Sequence, residues 1–149
     1  MSANTISGCN GGVAMWRASG TATGNQVRDS GAWGLAVGGA GADAHFDGNT
    51  ISGCAHDRVG CDRASLDAIG NTISDCGAAG VSCWGEGTQA SVIGNSIRRT
   101  GKHGVDSGGG VTVEARNHTV MDSARCGLSV WHNGDGRATF ADNTVTGCA

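Results

Sequence analysis

One short unit recurs seven times along the chain at nearly constant spacing. The unit is Asn-x-Ile or a close variant, and its apolar residue serves as an anchor at Ile6, Val27, Ile51, Ile73, Ile97, Val120 and Val145. Successive anchors lie 21, 24, 22, 24, 23 and 25 residues apart. A fixed period of this length is typical of a solenoid, in which each repeat contacts only its neighbours. The repeat therefore favours an architecture of stacked turns.

Other positions keep their character from one repeat to the next. The residue two before the anchor is Asn in six of the seven repeats and His118 in the other. Mostly apolar residues recur five and seven positions before the anchor and eight and ten positions after it. Apolar and polar residues thus alternate in three short segments per repeat, for example 90–93, 95–97 and 104–107. Alternation with period two indicates half-buried strands.

Three strands per repeat without a helical segment predict an all-β coil that stacks on itself. Each residue then lies about 4.8 Å above its equivalent in the previous turn, and identical residues form ladders. We expect one domain over residues 1–149, with about six turns, three parallel sheets and an asparagine ladder. The total absence of Pro agrees with this architecture, because each Pro would remove a hydrogen bond between strands.

Three stretches resemble the parallel β-helix repeats of the pectate-lyase-like superfamily: FDGNTISGC, VIGNSIRRTGKHGV and FADNTVTGC. The resemblance covers almost the whole chain. It implies a right-handed coil, with the ladder at the tight turn between the second and third sheets and the segment around residues 104–107 in the first sheet. Members of that superfamily degrade pectin, hydrolyse sugars or bind carbohydrate. The resemblance also implies that a groove for binding or catalysis runs along the outside of the first sheet.

Composition excludes several other classes of partner. The net charge is −3, with 15% charged residues and no basic run, so we do not expect nucleic acid as a partner. No segment is long enough for a membrane span, and no signal peptide is visible, so we expect no membrane association. We expect a cytoplasmic protein if the chain is complete and a secreted one if it is a fragment. No cofactor is expected.

The cysteines indicate reduced thiols. There are seven, an odd number, and no two are separated by two residues. Without an export signal, free thiols are the expected state. Stacked neighbours such as Cys61 and Cys83 leave disulfides open as the alternative.

Three of the four tryptophans fall in one outward column of the predicted first sheet, at Trp16, Trp84 and Trp131. Trp84 and Trp131 are two turns apart, or about 9–10 Å, which is close to the length of a disaccharide. Flat aromatic faces suit pyranose rings, so we predict these three residues as substrate contacts. The alternative is that each ring folds over a neighbouring glycine-rich turn and covers its backbone.

Two carboxylates face outward from the same sheet. Asp62 and Asp106 lie two turns apart in different columns, about 9–10 Å along the stack, near the upper limit for the acid and base of an inverting glycosidase. They are candidate catalytic residues or contacts to sugar hydroxyls, and the alternative is a pair of solvated carboxylates. A calcium site would need several carboxylates on adjacent turns, which this face lacks, so no metal site is predicted.

The loops that lead into the first sheet carry further side chains that could contribute to a site, at Trp33, His56, Asp57, Arg58, Lys102, His103, Arg125 and Cys126. His103 and Cys126 occupy one loop column in adjacent turns, about 5 Å apart, near enough for a thiol–imidazole pair. His103 is therefore a third candidate catalytic residue, beside Asp106, although a chance pairing is the alternative. Arg125 is predicted as a further substrate contact.

These residues support one leading hypothesis and two alternatives. The leading hypothesis is a domain that binds a polysaccharide or oligosaccharide on the outer face of the first sheet, with or without glycoside hydrolase or polysaccharide lyase activity. The first alternative is a non-catalytic scaffold for protein interaction. The second is a small biosynthetic enzyme that uses His103, Asp106 and Cys126.

Neither end of the repeat resembles a cap. We therefore expect either a fragment of a longer protein or ends that are covered by a partner, since a solenoid exposes apolar columns at its last turns. A homo-oligomer formed through the ends is the form of association that this pattern predicts.

Overall fold

The computed structural model describes residues 1–57, 59–132 and 134–149. Within these ranges the chain forms nineteen strands and no helix. Consequently, this part of the chain contains no apolar helix long enough to cross a membrane. Arg58, one of the predicted loop residues, lies outside the described residues.

The strands form three parallel sheets that the chain visits in turn. The first sheet contains β2 (Val13–Trp16), β5 (Leu35–Gly38), β8 (Val59–Asp62), β11 (Val81–Trp84), β14 (Val105–Gly108) and β17 (Leu128–Trp131). The second contains β3 (Gly20–Thr23), β6 (Asp43–Asp47), β9 (Ser65–Ile69), β12 (Gln89–Ile93), β15 (Thr112–Arg116) and β18 (Arg137–Ala141). The third contains β1 (Thr5–Ser7), β4 (Gln26–Arg28), β7 (Thr50–Ser52), β10 (Thr72–Cys76), β13 (Ser96–Thr100), β16 (Thr119–Met121) and β19 (Thr144–Thr146).

The register of the third sheet matches the sequence repeat. Each anchor pairs with the next one along the chain, beginning with Ile6 opposite Val27 and ending with Val120 opposite Val145. In the first and second sheets the predicted columns are likewise in register. The predicted parallel β-helix with three sheets and about six turns is therefore confirmed.

The core consists of side chains that stack on their equivalents one turn away. Inward residues of all three sheets, such as Leu35, Phe46 and Ile73, are fully buried. Burial of a side chain of this size stabilises the fold by about 1.5–3 kcal/mol relative to exposure. Because the strands are short and alternate strictly, every second residue enters the core and its neighbours face outward.

The corner before the third sheet explains the Gly-Asn pairs in the repeat. The residue preceding each ladder position has a positive φ, between 52° and 63°, in all seven turns: Ala3, Gly24, Gly48, Gly70, Gly94, Asn117 and Asp142. Gly, Asn and Asp adopt this left-handed conformation at the least steric cost, and six of the seven residues are of these types. The corner is therefore a requirement of the backbone rather than of function.

The asparagine ladder runs along the same corner and is buried from Asn25 to His118. The Oδ1 of Asn49 accepts bonds from the backbone N–H and the Nδ2 of Asn25, each at 2.9 Å. Asn49 in turn donates from Nδ2 to the Oδ1 of Asn71 at 2.9 Å and to the carbonyl of Ala22 at 2.8 Å. His118 interrupts the series, and its Nδ1 accepts the backbone N–H of Asn95 at 3.1 Å. These bonds satisfy polar groups that would otherwise be costly to bury.

Candidate functional site

Three rows of residues run along the outer face of the first sheet, parallel to the axis of the stack. The floor row is the second residue of each strand: Ala14, Ala36, Gly60, Ser82, Asp106 and Ser129. The turn row is the fourth residue of each strand: Trp16, Gly38, Asp62, Trp84, Gly108 and Trp131. The loop row stands two residues before each strand: Gly11, Trp33, Asp57, Ala79, His103 and Cys126.

Small side chains in the floor row leave a groove between the other two rows over the first four turns. We call it the tryptophan groove, and it has a volume of about 270 Å³. Trp33 and Asp57 line it from the loop row, and Trp16, Asp62 and Trp84 line it from the turn row. Its floor is formed by Ala14, Ala36, Gly60 and Ser82.

The rings of the turn row lie over glycines one turn further on. A Cβ placed on Gly38 would come within 2.7 Å of Cε3 of Trp16, and one on Gly108 within 2.7 Å of Cζ3 of Trp84. Both rings nevertheless stay open to solvent, with Trp16 63% and Trp84 37% exposed. The two predicted roles are therefore compatible, because a ring can cover glycine backbone with one face and offer the other to a ligand.

Trp33 completes the aromatic lining from the opposite side. It is 51% exposed, and its Cδ1 is 3.8 Å from where a Cβ on Gly60 would stand, in the middle of the groove floor. A Cβ at this position would make ordinary van der Waals contact with the indole ring, so Trp33 lies at packing distance from the floor. Trp16, Trp33 and Trp84 enclose one concavity, although they come from three different turns.

Two carboxylates provide the charged groups of the groove. The Oδ1 of Asp57 accepts the backbone N–H of Ala79 at 3.0 Å, which orients the side chain along the loop row. The Oδ2 of Asp62 lies 3.1 Å from an Nη2 of Arg63. Both members of that ion pair are substantially exposed, so the pair contributes little to stability.

Cys61 lies directly beneath the groove, and its burial disfavours the reactive thiolate form. Burial raises the pKa of its thiol to about 12, with a smaller rise from the neighbouring Asp62 carboxylate, and outweighs the hydrogen bond to Ala64. Burial also raises the pKa of Cys83, the next cysteine in the stack. Because the thiolate is the reactive form, covalent catalysis by these two residues is disfavoured.

A second cluster occupies the end of the face beyond Trp84. The hydroxyl of Ser129 donates to Oδ1 of Asp106, and Nε1 of Trp131 donates to Oγ of Ser129 at 3.0 Å. His103 is buried, with its ring centroid 6.2 Å from that of Trp131, and its Nδ1 has no hydrogen-bond partner among the described residues. The indole ring of Trp131 is therefore held by the floor row, unlike those of Trp16 and Trp84.

The predicted site residues divide between these two places. Trp16, Asp62 and Trp84 line the tryptophan groove, whereas His103, Asp106 and Trp131 belong to the second cluster and lie outside the groove. Arg125, the remaining predicted contact, is an exposed residue of the loop before β17 and is not part of the groove lining.

The strand register also gives the distance between the two carboxylates that were predicted as catalytic. Asp62 is in the turn row and Asp106 in the floor row two turns further on. Two turns combined with an offset of two residues along the strand separate their Cα atoms by roughly 12 Å. Cys126 follows His103 in the loop row and is exposed, but no hydrogen bond joins their side chains among the described residues.

Trp33 and Asp57 are the groove residues that the sequence did not single out. Both stand six residues after an anchor, the offset that His103 and Cys126 share. This common position, two residues before a first-sheet strand, puts them in one row, but it does not show whether the side chain of a loop residue points into the groove.

A larger but shallower concavity lies on the second sheet. It measures about 560 Å³, and its lining contains polar, charged and aliphatic side chains but no aromatic ring, at Asp43, Ser65, Leu66, Asp67, Gln89, Ala90, Ser91, Thr112, Val113, Glu114, Arg137 and Thr139. Recognition sites usually combine apolar or aromatic walls with a few polar groups, which fits the tryptophan groove better. Among the described residues, no group of three or more His, Cys, Asp or Glu side chains could hold a metal ion.

A parallel coil with an asparagine ladder and a groove outside its first sheet defines a β-helix protein. The family model described as a right-handed beta helix region matches residues 11–149. Since the match covers most of the chain, the protein belongs to this family, and the predicted right-handed parallel β-helix is confirmed. No curated protein and no solved structure matches the chain.

Proposed function

We propose that the protein binds carbohydrate in the tryptophan groove. The observation that carries this proposal is the convergence of three exposed indole rings, those of Trp16, Trp33 and Trp84, on one groove with a floor of small residues. Such rings can stack on the C–H faces of pyranoses, and their N–H groups can bond to hydroxyls. The carboxylates of Asp57 and Asp62 are acceptors for sugar hydroxyls, and bonds to an ionised acceptor are the stronger kind.

The dimensions of the groove fit a short oligosaccharide. Its floor extends over four turns, from Ala14 to Ser82, which corresponds to about 14 Å along the axis. An extended chain of two or three sugar units lying parallel to the axis would place its rings between the loop row and the turn row.

The proposal is binding rather than cleavage. A general acid and a general base must flank the same glycosidic bond, within about 9.5 Å of each other. Asp62 and Asp106 belong to different clusters, and Asp106 already accepts a bond from Ser129. Release of reducing ends from the bound oligosaccharides would point instead to the hydrolase hypothesis.

Calorimetric titration with a panel of neutral, acidic and amino-sugar trisaccharides tests the proposal. We expect at least one of them to bind and Trp33→Ala to weaken that binding by about fivefold or more, since truncation of an aromatic hot-spot residue costs more than 1 kcal/mol. Trp33 is half-exposed, so its removal should leave the thermal unfolding midpoint nearly unchanged.

Trp131→Ala provides the matched control, because it removes the same side chain from the second cluster. A trisaccharide confined to the groove should bind this variant within twofold of the wild-type affinity. The proposal would be wrong if no member of the panel bound, or if Trp33→Ala bound as tightly as the wild type.

A further inference from the structure

We infer that the tryptophan groove selects glycans that carry protonated amines over neutral and acidic glycans. This inference rests on the proposed function and goes beyond it by naming the class of ligand. The resemblance to pectin-degrading proteins implies acidic sugars as ligands, and the chemistry of the groove favours the opposite charge.

The described lining of the groove is acidic. Asp57 faces it from the loop row and Asp62 from the turn row. No Lys or Arg is among the described residues that line it. Because its walls are largely apolar, the negative potential of these carboxylates is less screened than on an open surface.

Arg63 offsets part of this charge, because its Nη2 lies 3.1 Å from Oδ2 of Asp62. The Cγ of Arg63 and the Oδ1 of Asp62 lie 2.6 and 2.7 Å from where a Cβ on Gly85 would stand, in the turn that leads to the second sheet. The ion pair between Arg63 and Asp62 is exposed, and pairs of this kind are worth about 0–1 kcal/mol. A ligand ammonium can therefore compete for Asp62.

The aromatic rings also favour a cationic ligand, as the carboxylates do. The face of an indole ring attracts a cation, and Trp is the most effective side chain for this interaction. Asp57 uses Oδ1 for the backbone of Ala79, and its Oδ2 has no partner among the described residues. A protonated amine in the groove would meet indole faces and ionised carboxylates together, whereas a uronate would bring like charges into contact.

Three trisaccharides that differ in charge test whether the groove selects its ligand by charge. The probes are a β-1,4-linked trimer of N-acetylglucosamine, the same trimer with free amines, and a trimer of galacturonate. The titrations are run at about pH 6 and at low salt, where charge interactions are screened least. We expect the free-amine trimer to bind at least about tenfold more tightly than the acetylated one, and high salt to reduce the difference.

Two variants that each remove one charge test whether Asp57 and Asp62 cause the preference for amines. Asp57→Asn and Asp62→Asn should each weaken binding of the free-amine trimer about three- to tenfold and leave the acetylated trimer nearly unaffected. Asn at position 57 can still accept the N–H of Ala79. Asp67→Asn removes the same charge from the outer face of the second sheet and should change neither affinity.

The outcomes distinguish the inference from the function on which it rests. Equal binding of the two glucosamine trimers, tighter binding of galacturonate, or unchanged selectivity in both groove variants would overturn the preference for amines while glycan binding stands. Failure of all three trimers and of the wider panel to bind would overturn the proposed function as well.

Discussion

His118 occupies the position that Asn holds in the other six turns of the ladder. Burial is the main cause that lowers the pKa of this histidine below its ordinary value of 6.5. Its Nδ1 accepts the N–H of Asn95, which a protonated ring cannot do. At this residue the ladder therefore depends on a neutral imidazole.

This dependence predicts an acid-sensitive stability that His118→Asn removes. As the pH falls through 6.5, the unfolded chain takes up a proton that folded His118 resists, so wild-type stability decreases until the pH passes below the folded pKa. The free energy of unfolding, measured by urea denaturation from about pH 7 to about pH 5, should fall less in the variant.

The exposed His45 supplies the control for this experiment. His45→Asn should keep the wild-type pH dependence, because His45 lies on the outer face of the second sheet rather than in the ladder. At about pH 7 we expect His118→Asn to change stability by no more than about 1 kcal/mol, because one set of hydrogen bonds replaces another. Identical pH profiles for His118→Asn and the wild type would contradict the assignment.

At the level of strands, two aromatic rings of the first sheet are positioned by glycines in the next strand. Trp16 of β2 lies over Gly38 of β5, and Trp84 of β11 lies over Gly108 of β14. The side chain of one strand thus rests on the backbone of the next. The orientation of each ring is consequently a property of two adjacent turns.

Gly38→Ala tests this arrangement. The added methyl group would meet Cε3 and Cη2 of Trp16 at 2.7 and 2.9 Å, so the ring must move into solvent. We expect a shift of the fluorescence emission to longer wavelength, severalfold weaker glycan binding, and a loss of stability of about 1 kcal/mol. In a Trp16→Ala background the same substitution should have almost no effect. An unchanged emission maximum in Gly38→Ala would count against the packing.

For the molecule as a whole, the two ends of the 149-residue coil differ from its middle. Strands β17, β18 and β19 have a partner strand on one side only, as do β1, β2 and β3 at the opposite end. In the last turn, Val130 and Val145 are 40% and 41% exposed, although their equivalents in the middle turns are buried. Open strand edges with exposed apolar residues favour pairing with another chain.

We therefore predict that this chain associates through its ends in solution. Sedimentation velocity should show a coefficient that rises with protein concentration, and Val145→Lys should reduce this rise by placing a charge at one end. Ser91→Lys, which adds the same charge to the outer face of the second sheet in a middle turn, should not. A single monomeric species up to high concentration in the wild type would refute the prediction.

The sequence by itself determined the coil. Side chains of one column stack on each other, so that the positions of Ile, Asn and Gly specify the register, the three sheets and the ladder without reference to distant parts of the chain. The outward columns followed from the same register, which is why Trp16, Trp84 and Asp62 could be placed on one face.

Only the tertiary structure decided which of these side chains lie together in one groove. Trp33 and Asp57 stand at the same offset from their anchors, but periodicity does not show whether the side chain of a loop residue points toward the opposite wall. The direction of an exposed ring depends on the neighbouring turn: Trp84 lies over Gly108, whereas Trp131 bonds to Ser129. The repeat specifies backbone positions, and a site needs side-chain directions, which the contacts between turns determine.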